Sequence, residues 1–243
     1  MLVGTALLGG ALNSVAGGGS FFTFPALIFT GTSPLVANAS STVALWPGSV
    51  ASAVGYRREV AEEGALVRRL APVSVFGGFL GAWFVTLTPE RIFEALVPFL
   101  LLVATLTFTF GDRLRAALAR RGPPSQGLFV SLQLLIAVYG GYFGGGMGLM
   151  MLALFSLLGP KHLHGMNGLK SVLGVAINLA ALLVFIAGAL VDWPRALAMT
   201  AAAIAGGYGG AALARRVDAA KVKRGVVVLG WLITTAFFVK TFG

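Results

Sequence analysis

Cysteine is absent from the 243 residues, which removes disulfides, thiol nucleophiles and thiolate metal ligands from consideration. Charge is scarce as well: 11% of the residues are charged, against about 25% in an ordinary soluble domain. Carboxylates are the scarcest, with 8 Asp and Glu against 18 Lys and Arg. None of them lies deep in an apolar stretch; Glu90 and Glu94 stand at the start of one. A proton-coupled pump ordinarily uses a buried carboxylate. A hydrolytic centre needs a nucleophile, a base and an orienting group together. Neither set is present, which weakens the reading as a membrane-embedded enzyme; a membrane-embedded enzyme or assembly subunit without transport activity is the alternative reading. The histidines, His162 and His164, sit in one loop without acidic partners. No metal site and no cofactor is expected.

What the chain does have is length without charge. Uncharged runs cover 1–56, 70–89, 126–160, 171–191, 196–214 and 225–239. A bilayer core of about 30 Å takes about 20 apolar residues per helix. These runs are long enough, and several hold more than one element. Buried helices of a soluble protein would need a charged solvent face, and none is left over. Open strands cannot satisfy their backbone in lipid, so the chain reads as an all-α integral membrane protein. The first run starts without a basic segment, and its glycine-rich interior recurs later, so it is expected to belong to the fold. The net charge of +10 lies in short loops, where it orients the chain and meets anionic lipid instead of nucleic acid.

The chain contains a duplication. Ala16-Gly17-Gly18-Gly19-Ser20, an apolar run and Asn38-Ala39-Ser40-Ser41-Thr42 are matched by Phe143-Gly144-Gly145-Gly146-Met147, an apolar run and Asn167-Gly168-Leu169-Lys170-Ser171. The glycines are offset by 127 and the asparagines by 129. The second offset also relates Gly77-Gly78-Phe79-Leu80-Gly81-Ala82 to Gly206-Gly207-Tyr208-Gly209-Gly210-Ala211. Residues 1–111 and 126–243 therefore form two homologous repeats in one membrane domain, joined by a basic linker over 112–125 with Pro123-Pro124. Each repeat is a glycine-broken helix pair followed by three transmembrane helices. The expected segments are 1–16, 20–31, 35–56, 70–87 and 92–110, then 126–143, 147–158, 166–187, 196–213 and 225–241.

The basic residues test whether each broken pair crosses the membrane or returns to its starting side. If each pair crosses once, the repeats are parallel and Lys and Arg divide 10 against 8. If each pair is a hairpin, the repeats are inverted and the division becomes 15 against 3, with Arg91, Arg195 and Lys240 on the poor side. Arg120, Arg121, Lys161, Arg215 and Arg216 then share the rich side. The inverted arrangement is favoured. The 12-residue segment 147–158, about 18 Å as a helix, suits a half-span.

Three glycines inside an apolar segment break a helix and bare N–H groups that lipid cannot satisfy. The short helix that follows points its positive N-terminus at the break, an arrangement suited to an anion. A hinge or a close helix crossing is the plainer role. Candidate substrate-binding residues are Gly17, Gly18, Gly19 and Gly144, Gly145, Gly146, with Asn13, Ser20, Asn38, Ser41, Thr42, Asn167, Lys170, Ser171 and Asn178. Amides and hydroxyls donate to oxyanions without adding charge. Asn38 and Asn167 also fit helix capping, and Lys170 also fits an interfacial lysine. As the one cation beside a repeated motif, Lys170 is the candidate anion partner. Both breaks are expected to face one shared polar cavity near mid-membrane.

These motifs resemble the sulfite exporter TauE/SafE family, also called the toluene sulfonate uptake permease family. The resemblance rests on Gly17-Gly18-Gly19 before Phe24-Pro25-Ala26-Leu27, on Asn38-Ala39-Ser40-Ser41-Thr42 and on Gly77-Gly78-Phe79-Leu80-Gly81-Ala82, and it recurs in the second half. The second half departs from the pattern: Pro25 aligns with Leu152, and Asn167-Gly168-Leu169-Lys170 replaces a small, Thr-containing stretch. The resemblance implies a plasma-membrane carrier of sulfite, organosulfonates or related sulfur oxyanions. A small anion and the lipid bilayer are the partners it implies.

Overall fold

The computed structural model describes residues 1–15, 17–119, 124–160, 162–213 and 219–243. Ala16, Arg120, Arg121, Pro123, Lys161, Arg215 and Arg216, which enter the sequence reading, lie outside the described residues. The described chain is helical without strands: α1 (Leu2–Val15), α2 (Ser20–Phe29), α3 (Pro34–Gly55), α4 (Arg57–Glu62), α5 (Gly64–Leu87), α6 (Glu90–Ala119), α7 (Gln126–Tyr142), α8 (Met147–Leu158), α9 (Leu163–Ala187), α10 (Trp193–Leu213) and α11 (Ala219–Phe242). Four of the described stretches are long and apolar enough to cross a membrane: Gly64–Leu87, Glu90–Gly111, Leu163–Ala187 and Arg224–Phe242. Helix α6 continues through Ala119, well into the stretch read as a linker.

The residue distribution is that of a protein in lipid. Phe76, Phe79, Trp83 and Phe84 are exposed along α5, whereas Ser14, Asn38, Ser40, Ser41, Ser52, Gln133, Asn167, Lys170 and Ser171 are buried. Polar groups inside need partners, because lipid offers none. Several find them across helices: Gln133 Nε2 donates to Ser74 Oγ at 2.9 Å, and Ser41 and Thr23 share a hydrogen bond of 2.6 Å.

Helix pairs form where small residues let backbones meet. Gly206 and Gly210 of α10 lie against Leu7 and Ala11 of α1, and Gly77 and Gly81 of α5 lie against Ala137 and Val138 of α7. Helices α3 and α9 cross at the centre. Trp46 Nε1 donates to the Val175 carbonyl at 3.1 Å, and Ser52 meets Ser171 at 3.2 Å. Contacts descend on one helix as they ascend on the other, so α3 and α9 run antiparallel. The same holds for α6 and α11: Phe99 packs on Phe238, Thr105 bonds Thr234 at 3.0 Å, and Trp231 Nε1 donates to Thr109 at 3.2 Å. Trp46/Val175 and Thr105/Thr234 are each 129 residues apart, the offset of the sequence duplication.

Each glycine break turns the chain back on itself. Gly19 and Thr23 lie beside Gly9, so α2 folds along α1 instead of continuing it. In the second half Met147 lies against Gly140, and α8 returns along α7. With 10 and 12 residues, α2 and α8 are about 15 and 18 Å long, roughly half a hydrocarbon core.

Candidate functional site

The two turns meet. Gly17 sits at φ +74° with its α-carbon so close to α8 that a Cβ there would lie 2.5 Å from Gly148 Cα. Only glycine satisfies both the left-handed conformation and that approach. Gly18, Gly144 and Gly146 also have positive φ. Between the turns and the α3–α9 crossing lies a cavity of about 50 Å³, on a measure where one water takes roughly 10–15 Å³. That is room for a few waters or one small oxyanion.

Its walls come from both halves of the chain. Asn13, Gly17, Gly18, Ser20, Thr42, Leu45, Ser49 and Ser52 line one side, and Gly144, Met147, Gly148, Met151, Lys170, Ser171, Gly174 and Asn178 the other. Of the residues singled out from sequence, Asn13, Gly17, Gly18, Ser20, Thr42, Gly144, Lys170, Ser171 and Asn178 are therefore brought together. The lining of α3 follows Thr42, Leu45, Ser49, Ser52, and that of α9 follows Ser171, Gly174, Asn178. These are single helical faces, three and four residues apart.

The remaining candidates lie off the cavity. Asn38 Nδ2 donates to the Tyr142 carbonyl at the end of α7, at 3.0 Å. Asn167 Oδ1 accepts from Lys170 Nζ at 3.0 Å. Ser41 is engaged with Thr23. Gly145 supplies its carbonyl to the Tyr139 hydroxyl at 2.7 Å, and Gly146 packs on Ala104. Gly19 packs on the backbone of Gly9. Ser52, Met147 and Met151 line the cavity without having been singled out. Ser52 was within reach, since it continues the Thr42–Ser49 face by one more turn; the methionines carry no signal that separates a lining from a packing role.

The first break does not leave its amides bare. Asn13 Oδ1 accepts from Gly18 N–H at 3.1 Å and from Gly19 N–H at 2.7 Å. The side-chain oxygen thus does what an anion does at a helix start. Its Nδ2 has no partner among the described residues. The equivalent position in the second half is Gly140, without a side chain.

Lys170 is the one ionisable side chain in the lining. The residue is 3% exposed, and Nζ donates to the Ser14 carbonyl at 3.1 Å and to Asn167. Among the described residues the ion pair is Arg195–Asp192, at the α9–α10 connection; no carboxylate pairs with Lys170. A buried ammonium without a counter-ion is costly. Of the lining hydroxyls, Thr42 donates to the Asn38 carbonyl at 3.0 Å, Ser49 donates to the Leu45 carbonyl at 3.2 Å, and Ser52 and Ser171 share a hydrogen bond. An anion entering the cavity meets one basic side chain, carboxamides and these hydroxyls, and no negative side chain.

The profile of the family described as "Sulfite exporter TauE/SafE" matches residues 2–237. The chain belongs to the sulfite exporter TauE/SafE family. Relatives agree at lower identity. A "Probable membrane transporter protein" of Haemophilus influenzae is 28% identical over 228 residues, covering 92% of this chain and 88% of that protein. The "Probable membrane transporter protein ORF9" of a Sinorhizobium species is 29% identical, over 80% of this chain and 74% of that one. The "Probable membrane transporter protein YfcA" of Escherichia coli K12 is 27% identical over 80% of this chain and 72% of its own length. No solved structure matches. As a TauE/SafE protein with several helices fit to span a bilayer, the chain is a membrane protein of a transporter family.

The Asn13 geometry separates capping from ligand contact. Asn13→Asp keeps both accepted hydrogen bonds and places negative charge at a helix start, where it is stabilising by about 0.3–1 kcal/mol. It also replaces a free donor with a charge that repels an anion. The expected result is an unchanged or raised melting temperature, with anion flux lowered by roughly tenfold or more, as about 1.4 kcal/mol of repulsion would give. Wild-type flux in reconstituted Asn13→Asp would place Asn13 outside the substrate's reach.

Proposed function

We propose that the protein carries a small sulfur oxyanion, such as sulfite or an organosulfonate, across the plasma membrane by alternating access. The observation that carries the reading is the cavity itself, built from both halves around a buried ammonium that lacks a carboxylate partner. Residues 1–111 and 126–243 are the two moving parts, arranged as inverted repeats. Three facts support the inversion. Helices α3 and α9 are equivalent in the duplication yet antiparallel, as are α6 and α11. Residues 129 apart meet directly, as they must beside a two-fold axis between the repeats. Cavity positions also correspond: Gly17 with Gly144, Thr42 with Ser171, Leu45 with Gly174 and Ser49 with Asn178. Such carriers place the substrate between repeats at broken helices and rock one repeat against the other.

Purified protein in liposomes tests the reading. Labelled sulfite is expected to enter saturably, with competition by some of thiosulfate, sulfate, sulfoacetate and taurine that ranks the substrates. Absence of saturable flux for every one of these anions would overturn it.

A further inference from the structure

Lys170 is placed as a cation bound to the protein's own helix end. Helix α1 stops at Val15 with its carbonyls facing the break, and a helix C-terminus carries about half a negative charge. Ser14 O takes Lys170 Nζ at 3.1 Å, and Asn167 Oδ1 takes it at 3.0 Å. Backbone carbonyls at such broken ends are where carriers of inverted-repeat build hold a free coupling cation. Capping by itself does not require charge. At the matching end of α7, the Tyr142 carbonyl is capped by the neutral amide of Asn38. Asn167, the counterpart of Asn38, instead turns its oxygen to the ammonium. The counterpart of Lys170 in the first half is Ser41, engaged with Thr23, so one cation serves the whole cavity.

We infer that the Lys170 ammonium is a resident counter-cation: it fills an oxygen-lined cation seat at the end of α1 and so lets the carrier move its anion without a sodium ion or other soluble cation. This rests on the transport reading above. Two N–H groups of the ammonium face Ser14 and Asn167, and one remains for the cavity. The nitrogen is covalently fixed, so the group in the seat is not exchanged for a dissolved metal cation during the cycle. Lys170→Ala empties the seat while leaving Ser14 O and Asn167 Oδ1 in place, and a small monovalent cation can then take the position. Lys170→Met removes the charge but fills the space.

Full-length wild type, Lys170→Ala and Lys170→Met are reconstituted, and sulfite flux is measured with sodium, methylammonium or choline as the cation on both sides. Wild-type flux is expected to be the same in all three. Lys170→Ala should fall by about tenfold or more in choline, the loss of one charge-assisted hydrogen bond, and recover in sodium or methylammonium. Lys170→Met should fall equally and recover in neither. Wild-type flux that collapses in choline would overturn the inference, as would Lys170→Ala flux indifferent to the cation or Lys170→Met flux equal to wild type. If Lys170→Ala fails to insert, the wild-type and Lys170→Met arms still decide. Wild-type protein that carries no sulfur oxyanion in any medium would overturn the transport reading itself, and this inference with it.

Discussion

Lys170→Gln is expected to weaken anion binding by roughly 10- to 100-fold while the protein still inserts and folds. The glutamine amide reaches toward Ser14 O and Asn167 much as the ammonium does, so the cap on α1 is retained in neutral form. The charge is what disappears. A hydrogen bond to a charged group contributes about 1.5–3 kcal/mol, against about 0.5–1.5 for a neutral one. At about 1.4 kcal/mol per decade this difference, together with the lost Coulomb attraction in a low dielectric, gives the stated range. Titration of purified protein with sulfite, followed by calorimetry, reads the affinity directly. Wild-type affinity in Lys170→Gln would mean that the ammonium serves α1 alone.

Gly17→Ala should be more disruptive than its single methyl suggests. Two costs combine. The left-handed conformation at φ +74° costs a residue with a Cβ about 1–2 kcal/mol. The Cβ would also stand 2.5 Å from Gly148 Cα, a backbone atom that cannot rotate away. Overpacking of that kind adds about 1–3 kcal/mol. Gly31 separates the two terms, because it has φ +87° and nothing within 4 Å of its virtual Cβ. Gly31→Ala should therefore show only the conformational cost and keep wild-type flux. Gly17→Ala should lose roughly twice as much stability or more and, by prying the two turns apart, lose flux. Equal melting temperatures for the two variants would show that the turns do not press on each other as described.

The elements that cross lipid were legible because hydropathy is the bilayer's own criterion. The segment expected at 147–158 coincides with α8, Met147–Leu158. Where charge begins, the signal ends. Helix α5 starts at Gly64, before Arg68 and Arg69, and α6 runs on to Ala119 past Arg113, because a helix can continue into water where an apolar pattern cannot. The short α4, Arg57–Glu62, has no apolar run to reveal it. At the site, the residue types were readable and their partners were not. Asn13 lines the cavity as its amide suggests, but nothing in the sequence shows that its oxygen caps Gly18 and Gly19. Asn38 and Asn167 are equivalent in sequence, yet one caps α7 and the other holds Lys170. The Asn167–Lys170 contact is three residues apart on one helix, but Asn38 reaches Tyr142 at a separation of 104, and Lys170 reaches Ser14 at a separation of 156. Periodicity within one segment cannot carry such information.

The central claim is that a fixed ammonium, and no coupled ion, lets an anion cross. Its most direct test is sulfite flux in proteoliposomes under a potassium diffusion potential set with valinomycin, without gradients of sodium or protons. Each charge moved through 100 mV gains about 2.3 kcal/mol. Inside-negative potential should therefore drive anion exit, and reversal of the potential should reverse the net flux. Charged-substrate flux that ignores the potential and appears only with a sodium or proton gradient would contradict the account.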